Sequence, residues 1–250
     1  MEKYELLPKQ LLYEGSCTNE NFFSPGMPSE ADILAVHTLE YMAHLNTLTL
    51  DKRAARKIGF PLSASLVERE YRITQGTIEC CNFALAHGIS MNIAGGTHHA
   101  YTDRGEGFCI LNDQAVAARF LQRNKHAKKI LIIDLDVHQG NGTAEIFAND
   151  NSIFTFSMHG AGNYPFKKEQ SDLDIALPDG TEDAVYLEEL KKTLPKLIER
   201  VQPDFAFYLS GVDILETDKL GRLSCTVTGC RDRDRFVFET LLSHNIPVQV

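Results

Sequence analysis

The sequence predicts an α/β protein, a single domain built on a parallel β-sheet flanked by helices. Three observations point there. Short apolar segments rich in β-branched and aromatic residues alternate with longer stretches of helical period. Polar and glycine-rich loops follow the apolar segments, and no repeat, low-complexity tract or Gly/Ser linker divides residues 1–250.

The elements follow in order. Ser29 ahead of an acidic first turn opens a helix over 30–47, and a second helix over 65–87 stops at His87-Gly88. A strand is expected over 91–94, a helix over 112–124, and strands over 129–134 and 153–157. Thr181, Glu182 and Asp183 start a helix over 182–200, which Pro195 should kink or divide. A strand over 205–209, a helix over 231–243 and a last strand beginning at Pro247 complete the set. The alternating charges Arg231, Asp232, Arg233, Asp234 and Arg235 read as a solvated helix face.

Composition excludes several classes. With 43% hydrophobic and 24% charged residues in a chain of 250, disorder and fibrous structure are ruled out. A formal net charge of −9, from 34 acidic and 25 basic residues, repels phosphate backbones and anionic lipid, which argues against nucleic acid and membrane partners. No apolar run reaches the ~20 residues of a membrane helix, and the start Met1-Glu2-Lys3-Tyr4-Glu5 is too acidic for a signal peptide, so a soluble cytoplasmic chain is expected. Cys17, Cys80, Cys81, Cys109, Cys225 and Cys230 form no Cys-x-x-Cys pair and read as reduced, packed thiols. His37, His44, His87, His126 and His244 read as surface or packing histidines.

The unusual residues collect where strands should end. Gly95-Gly96-Thr97-His98-His99-Ala100 follows the first strand. Asp134-Leu135-Asp136-Val137-His138-Gln139-Gly140-Asn141-Gly142 follows the second, and Ser210-Gly211-Val212-Asp213 the fourth. Parallel sheets bind ligands outside the carboxyl ends of their strands, so these loops should converge on one crevice. In extended backbone Asp134, Asp136 and His138 point the same way. Asp136, His138 and Asp213 make a one-nitrogen, two-oxygen set with open positions, suited to a catalytic Zn²⁺ or Fe²⁺. Two carboxylates weaken the ion's Lewis acidity, so a base must help ionise water, and His98 and His99 are the candidates. Asp134 and Asn141 are the polar partners left over. If Asp134 faces His98 and Asn141 faces His99, His99 is the neutral general base and His98 the cation.

These residues resemble the zinc-dependent histone deacetylase family of the arginase/deacetylase fold. The resemblance covers residues 94–238 and includes Gly-Phe-Cys-Ile-Leu-Asn-Asp at 107–113 and Gly-Val-Asp-Ile-Leu-Glu-Thr-Asp-Lys-Leu-Gly at 211–221. Gln139-Gly140-Asn141 and Asp213-Ile214-Leu215 are most similar to class IV-like and bacterial deacetylases. The resemblance implies zinc on Asp136, His138 and Asp213, with His98 and His99 as tandem histidines. It also implies an acyl-lysine channel at Gly107, Phe108 and Tyr164. A structural K⁺ would lie on Asp134, the carbonyls of Asp136, His138 and Met158, and the Ser157 hydroxyl. The implied reaction is hydrolysis of the amide of an acylated lysine or acylated polyamine.

Three departures from the family pattern stand out. Relatives carry a tyrosine in a glycine-rich loop after the strand that begins here at Pro247, and this sequence ends at Val250. They also have a further strand before the segment matching Met1, so family-typical segments are expected to be lacking at both termini. Where many deacetylases grip the substrate backbone with an Asp, this chain reads Gly59-Phe60-Pro61. Two rival readings are a dimanganese ureohydrolase of the same fold and a non-catalytic acyl-lysine-binding module. The ureohydrolase needs a carboxylate where this chain has Leu215, so one metal per chain is expected.

Overall fold

A computed structural model describes residues 2–250. In chain order the elements are α1 (Lys3–Tyr13), α2 (Glu30–Ile33), α3 (Leu39–Asn46), α4 (Lys52–Ile58), α5 (Ala64–His87), β1 (Ile89–Ser90), α6 (Asp113–Arg123) and β2 (Ile130–Asp134). They continue with α7 (Asn141–Phe147), β3 (Ile153–Gly160), β4 (Leu173–Leu177), α8 (Asp183–Val201), β5 (Phe205–Leu209), α9 (Val227–Ser243) and β6 (Val248–Gln249). All pairings are parallel, in the order β1-β6-β5-β2-β3-β4.

Both faces of the sheet are covered, which is why the strands read as continuous apolar runs. Along β2 and β5, Ile130, Ile132, Phe205, Phe207 and Leu209 pack on one side with α5 and α6 residues such as Cys81 and Val116. The alternate positions Leu131, Ile133, Ala206 and Tyr208 pack on the other side with Tyr186 and Leu190 of α8 and Val237 and Leu241 of α9. Each of the Val, Leu, Ile and Phe side chains among them contributes about 1.5–3 kcal/mol on burial.

Several expected boundaries are corrected. In place of the strand expected over 91–94 the structure has β1 at Ile89–Ser90, and past it the Asn92 side chain is tied to helix α5. It donates to Ile73 O (2.9 Å) and Thr77 Oγ1 (2.8 Å), and its own Oδ1 accepts from Ala94 N. The helix expected over 30–47 is broken into α2 and α3, since Thr38 caps a new helix by accepting from Tyr41 N. Helix α8 runs undivided through Pro195, and Lys191, whose carbonyl the proline leaves without an N–H, lies on the exposed side. Helix α9 starts four residues early, capped by Thr226, and this buries Arg233 completely. The five-charge run is therefore not a uniformly solvated face. Strand β4 and helices α1, α4 and α7 were not expected. The edge strand β4 does carry the period-two signal Leu173, Ile175, Leu177.

Candidate active site

Strands β2 and β5 lie side by side at the middle of the sheet, and their carboxyl ends deliver the acidic loops to one place. Asp136, His138 and Asp213 present ligand atoms within 4.8 Å of one another. His138 Nδ1 lies 2.9 Å from Asp136 Oδ1 and 3.1 Å from Asp213 Oδ2. Val137 N donates to Asp213 Oδ1 at 3.0 Å, tying the two loops together. A Cβ on Gly211 would come within 2.4 Å of Asp136 Oδ2, so only glycine lets the loops approach this closely.

Electrostatics fit a cation here. Burial alone would lower the His138 imidazole, but the Asp136 and Asp213 carboxylates outweigh it and push it up to about 10. Burial would raise Asp136, yet hydrogen bonding from His138 and the charge of His98 hold it well below the usual carboxylate range. Burial and the neighbouring Asp136 charge raise Asp213. The negative potential that makes the ring so basic is what a divalent cation would meet, and the mixed N/O donor set suits Zn²⁺ or Fe²⁺.

Above this group sit the two buried histidines, on the loop between β1 and α6. His98 Nδ1 lies 2.7 Å from Asp134 Oδ2 at the end of β2. His99 Nδ1 lies 2.6 Å from Asn141 Oδ1 at the start of α7. The two Nε2 atoms face each other at 3.1 Å. Burial disfavours charge on both rings, but beside the Asp134 carboxylate His98 is pushed up to about 9. Next to a neutral amide, burial and the positive charge of His98 leave His99 well below the ordinary imidazole value. The hydrogen-bond pattern assigns protons to both nitrogens of His98 and to Nδ1 of His99, so the unprotonated His99 Nε2 is the acceptor that faces His98 Nε2–H.

The expected alignment of Asp134, Asp136 and His138 on one extended face is corrected. Strand β2 ends at Asp134 and the chain bends, so Asp134 turns to His98 and accepts from Asp136 N at 3.2 Å. Ser157 is the register neighbour of Asp134 on β3, and its hydroxyl lies 3.0 Å from His159 Nδ1, with Met158 buried between them in sequence.

Gly107 and Tyr164 stand beside His99, and Phe108 follows Gly107 on the same turn. The Tyr164 ring meets His99 edge-on at 5.0 Å, and its hydroxyl donates to Glu106 Oε2 at 2.9 Å. A Cβ on Gly107 would lie 2.7 Å from His99 Cδ2. Phe108 adopts φ +67°, is 55% exposed, and packs on Phe60 at 5.1 Å between ring centroids. The Gly59-Phe60-Pro61 segment thus offers an apolar wall. The cysteines take no part: burial pushes the Cys109 thiol up, far from a thiolate nucleophile.

Comparison with known proteins decides the family. The family described as "Histone deacetylase domain" matches residues 1–250. The chain belongs to the histone deacetylase family. It is 46% identical over 248 residues to a Picosynechococcus protein described as uncharacterized, covering 99% of this chain and 83% of that one. It is 30% identical over 255 residues to "Histone deacetylase 2" of Arabidopsis thaliana, covering 98% of this chain and 66% of the relative. A histone deacetylase homologue from Aquifex aeolicus superposes with TM-score 0.81 at 25% identity, over 93% of this chain and 68% of that one. The parallel six-stranded sheet flanked by helices is the arginase/deacetylase fold of that family.

Four residues of this deacetylase-family site escaped the sequence reading. Asp113, fully buried, accepts from Gly96 N, Thr97 N and Thr97 Oγ1 and anchors the histidine loop. Its place inside the 107–113 motif was a usable signal. Tyr101 accepts from Asn141 Nδ2 at 2.8 Å, and Glu106 holds the Tyr164 hydroxyl. Arg233 was hidden in a run that looked like surface.

Proposed function

We propose that residues 1–250 form a single catalytic domain of a metal-dependent deacetylase, which hydrolyses the amide of an acylated lysine or acylated polyamine. One observation carries the reading: two adjacent buried histidines, one held charged beside Asp134 and the other neutral beside Asn141, face a one-imidazole, two-carboxylate group. A divalent ion on Asp136, His138 and Asp213, Zn²⁺ or Fe²⁺, would supply Lewis acidity toward water and the acyl oxygen. His99 accepts the water proton at Nε2, while Asn141 fixes its tautomer. His98, held as a cation by Asp134, donates a proton to the departing amine.

Gly107, Phe108 and Tyr164 line the slot for the aliphatic stem. The apolar wall at Phe60 admits small acylated amines as well as a peptide. Asp134, Ser157 and the carbonyls of Asp136, His138 and Met158 are the residues for a structural K⁺. Leu215, packed against the apolar core, speaks against a second metal and a ureohydrolase. No helix among the described residues is long and apolar enough to cross a membrane. With the net charge of −9, this supports a cytoplasmic enzyme without membrane or direct nucleic-acid partners.

The test is a fluorogenic acetyl-lysine assay and an acetylated-polyamine assay with added Zn²⁺, with and without a hydroxamate. Hydroxamate-sensitive amine release that vanishes in Asp213→Ala is the expected result. Substrate binding without turnover would overturn the proposal, as would urea release with two Mn²⁺ per chain.

A further inference from the structure

We infer that Arg233 is a positioning residue for the metal-ligand loops, a clasp that sets the separation of Asp136 and Asp213 from behind. The inference rests on the deacetylase reading of that group. Arg233 is the bulkiest of the fully buried side chains, and it sits on α9, on the side of the sheet away from the histidine loop's helices. Its guanidinium reaches the ends of two strands at once. Nη1 donates to Leu135 O (3.2 Å), in the bend between Asp134 and Asp136, and to Gly211 O (2.7 Å). Nη2 donates to Ser210 O (3.1 Å), one residue after the end of β5 at Leu209 and three before Asp213.

These contacts match the chemistry of the group. Two loops that turn their ligands outward must turn some carbonyls inward, and buried carbonyls need donors. A planar fork with five N–H groups can serve three carbonyls from one position, where the single point charge of lysine cannot. The buried charge is itself balanced: Asp234 Oδ1 lies 2.8 Å from Nε and also accepts from the Tyr208 hydroxyl at 2.6 Å. Tyr208 belongs to β5, which leads directly into the loop of Ser210, Gly211 and Asp213, so the clasp is braced on the strand that feeds the loop it positions. Arg233 touches neither substrate nor ligand atoms; it acts through the backbone of the residues that carry them.

The experiment measures Zn²⁺ affinity by competition with a chromophoric chelator, and the visible spectrum of the Co²⁺-loaded chain, in wild type, Arg233→Met, Arg233→Lys and Val237→Ala. Val237 is buried on the same helix and touches no loop carbonyl, so its variant reports destabilisation alone. Loss of a group that orients metal ligands typically weakens metal binding by about 10–100-fold. That loss is expected for Arg233→Met together with an altered Co²⁺ spectrum, an intermediate loss for Arg233→Lys, and affinity within about twofold of wild type for Val237→Ala. Should Arg233→Met not fold, Arg233→Lys, which keeps the charge beside Asp234, carries the comparison. Wild-type affinity and spectrum in the Arg233 variants would overturn the inference, as would an equal loss in Val237→Ala. Wild-type chain that takes up no Zn²⁺, or whose uptake is unchanged in Asp213→Ala, would instead overturn the deacetylase reading on which the inference stands.

Discussion

Two adjacent histidines differ here through one atom in each partner, a carboxylate oxygen at Asp134 against an amide oxygen at Asn141. With the neutral ring proposed as the base, His99→Ala should lower turnover by about 10²–10⁴, and His98→Ala should cost clearly less in the same acetyl-lysine assay. Equal residual activities would sink the assignment. That Asp134 and Asn141 pair with these rings was legible in the sequence, because few other polar residues share their loops. Arg233 was not, since alternating charge at a helix start carries no mark of which member turns inward. His37, read from sequence only as a surface or packing histidine, is buried. Burial lowers it to about 4, against the opposing pull of the Tyr101 and Thr102 carbonyls, and its Nε2 accepts from Asn112 N at 3.0 Å. The unfolded chain takes up a proton near 6.5 and the folded chain only near 4, so this contribution is full above 6.5 and is lost as pH falls through that window. Between pH 7.5 and pH 5 the loss is on the order of 2 kcal/mol. Urea unfolding at the two pH values should show it, and His37→Gln should flatten the difference.

At the scale of elements, the short helices that the sequence reading missed turn out to shape the site. Helix α4 ends at Gly59 with φ +87°, and its last carbonyls, Lys57 O and Ile58 O, accept from Gly107 N and Phe108 N. The turn that carries Phe108 is therefore hung from α4. A Cβ on Gly59 would fall 2.7 Å from the Phe108 ring, and a left-handed alanine adds about 1–2 kcal/mol of strain. Gly59→Ala should raise KM for the acylated substrate while leaving kcat nearly unchanged; a kcat effect alone would contradict the channel role of Phe108. Helix α7 is held more tightly still. A Cβ on Gly142 would lie 2.2 Å from the main-chain oxygen of Ala100, which cannot swing aside. Gly142→Ala should therefore lose about 3 kcal/mol or more of stability in a denaturant titration. The glycine-rich loop around Gly140 and Gly142 hides α7 from a reading based on apolar period, because close packing selects the residue and period says nothing about it.

For the molecule as a whole, the fold class and four of the six strands, β2, β3, β5 and β6, were readable because strands buried on both faces are short apolar runs. The edge strand β4 was harder, being half-exposed and carrying Asp174. Ligand binding should be felt globally. Zn²⁺ at about 100 times its Kd adds about 2.7 kcal/mol to the folded state, which for a domain of this size raises the melting temperature by about 5–10 °C. Asp213→Ala should abolish that rise, and chelator should reverse it in wild type.

The sheet order also governs when this centre can come into being. Asp136 and His138 follow β2, but Asp213 follows β5, which inserts beside β2 only after the connection through β3, β4 and α8 has been made. A nascent chain halted before residue 205 offers an incoming ion one imidazole and one carboxylate, a weak grip that lets go readily. On the proposed metal-dependent reading, firm loading would be a late event in biogenesis, deferred until the central strands of the sheet have closed on each other.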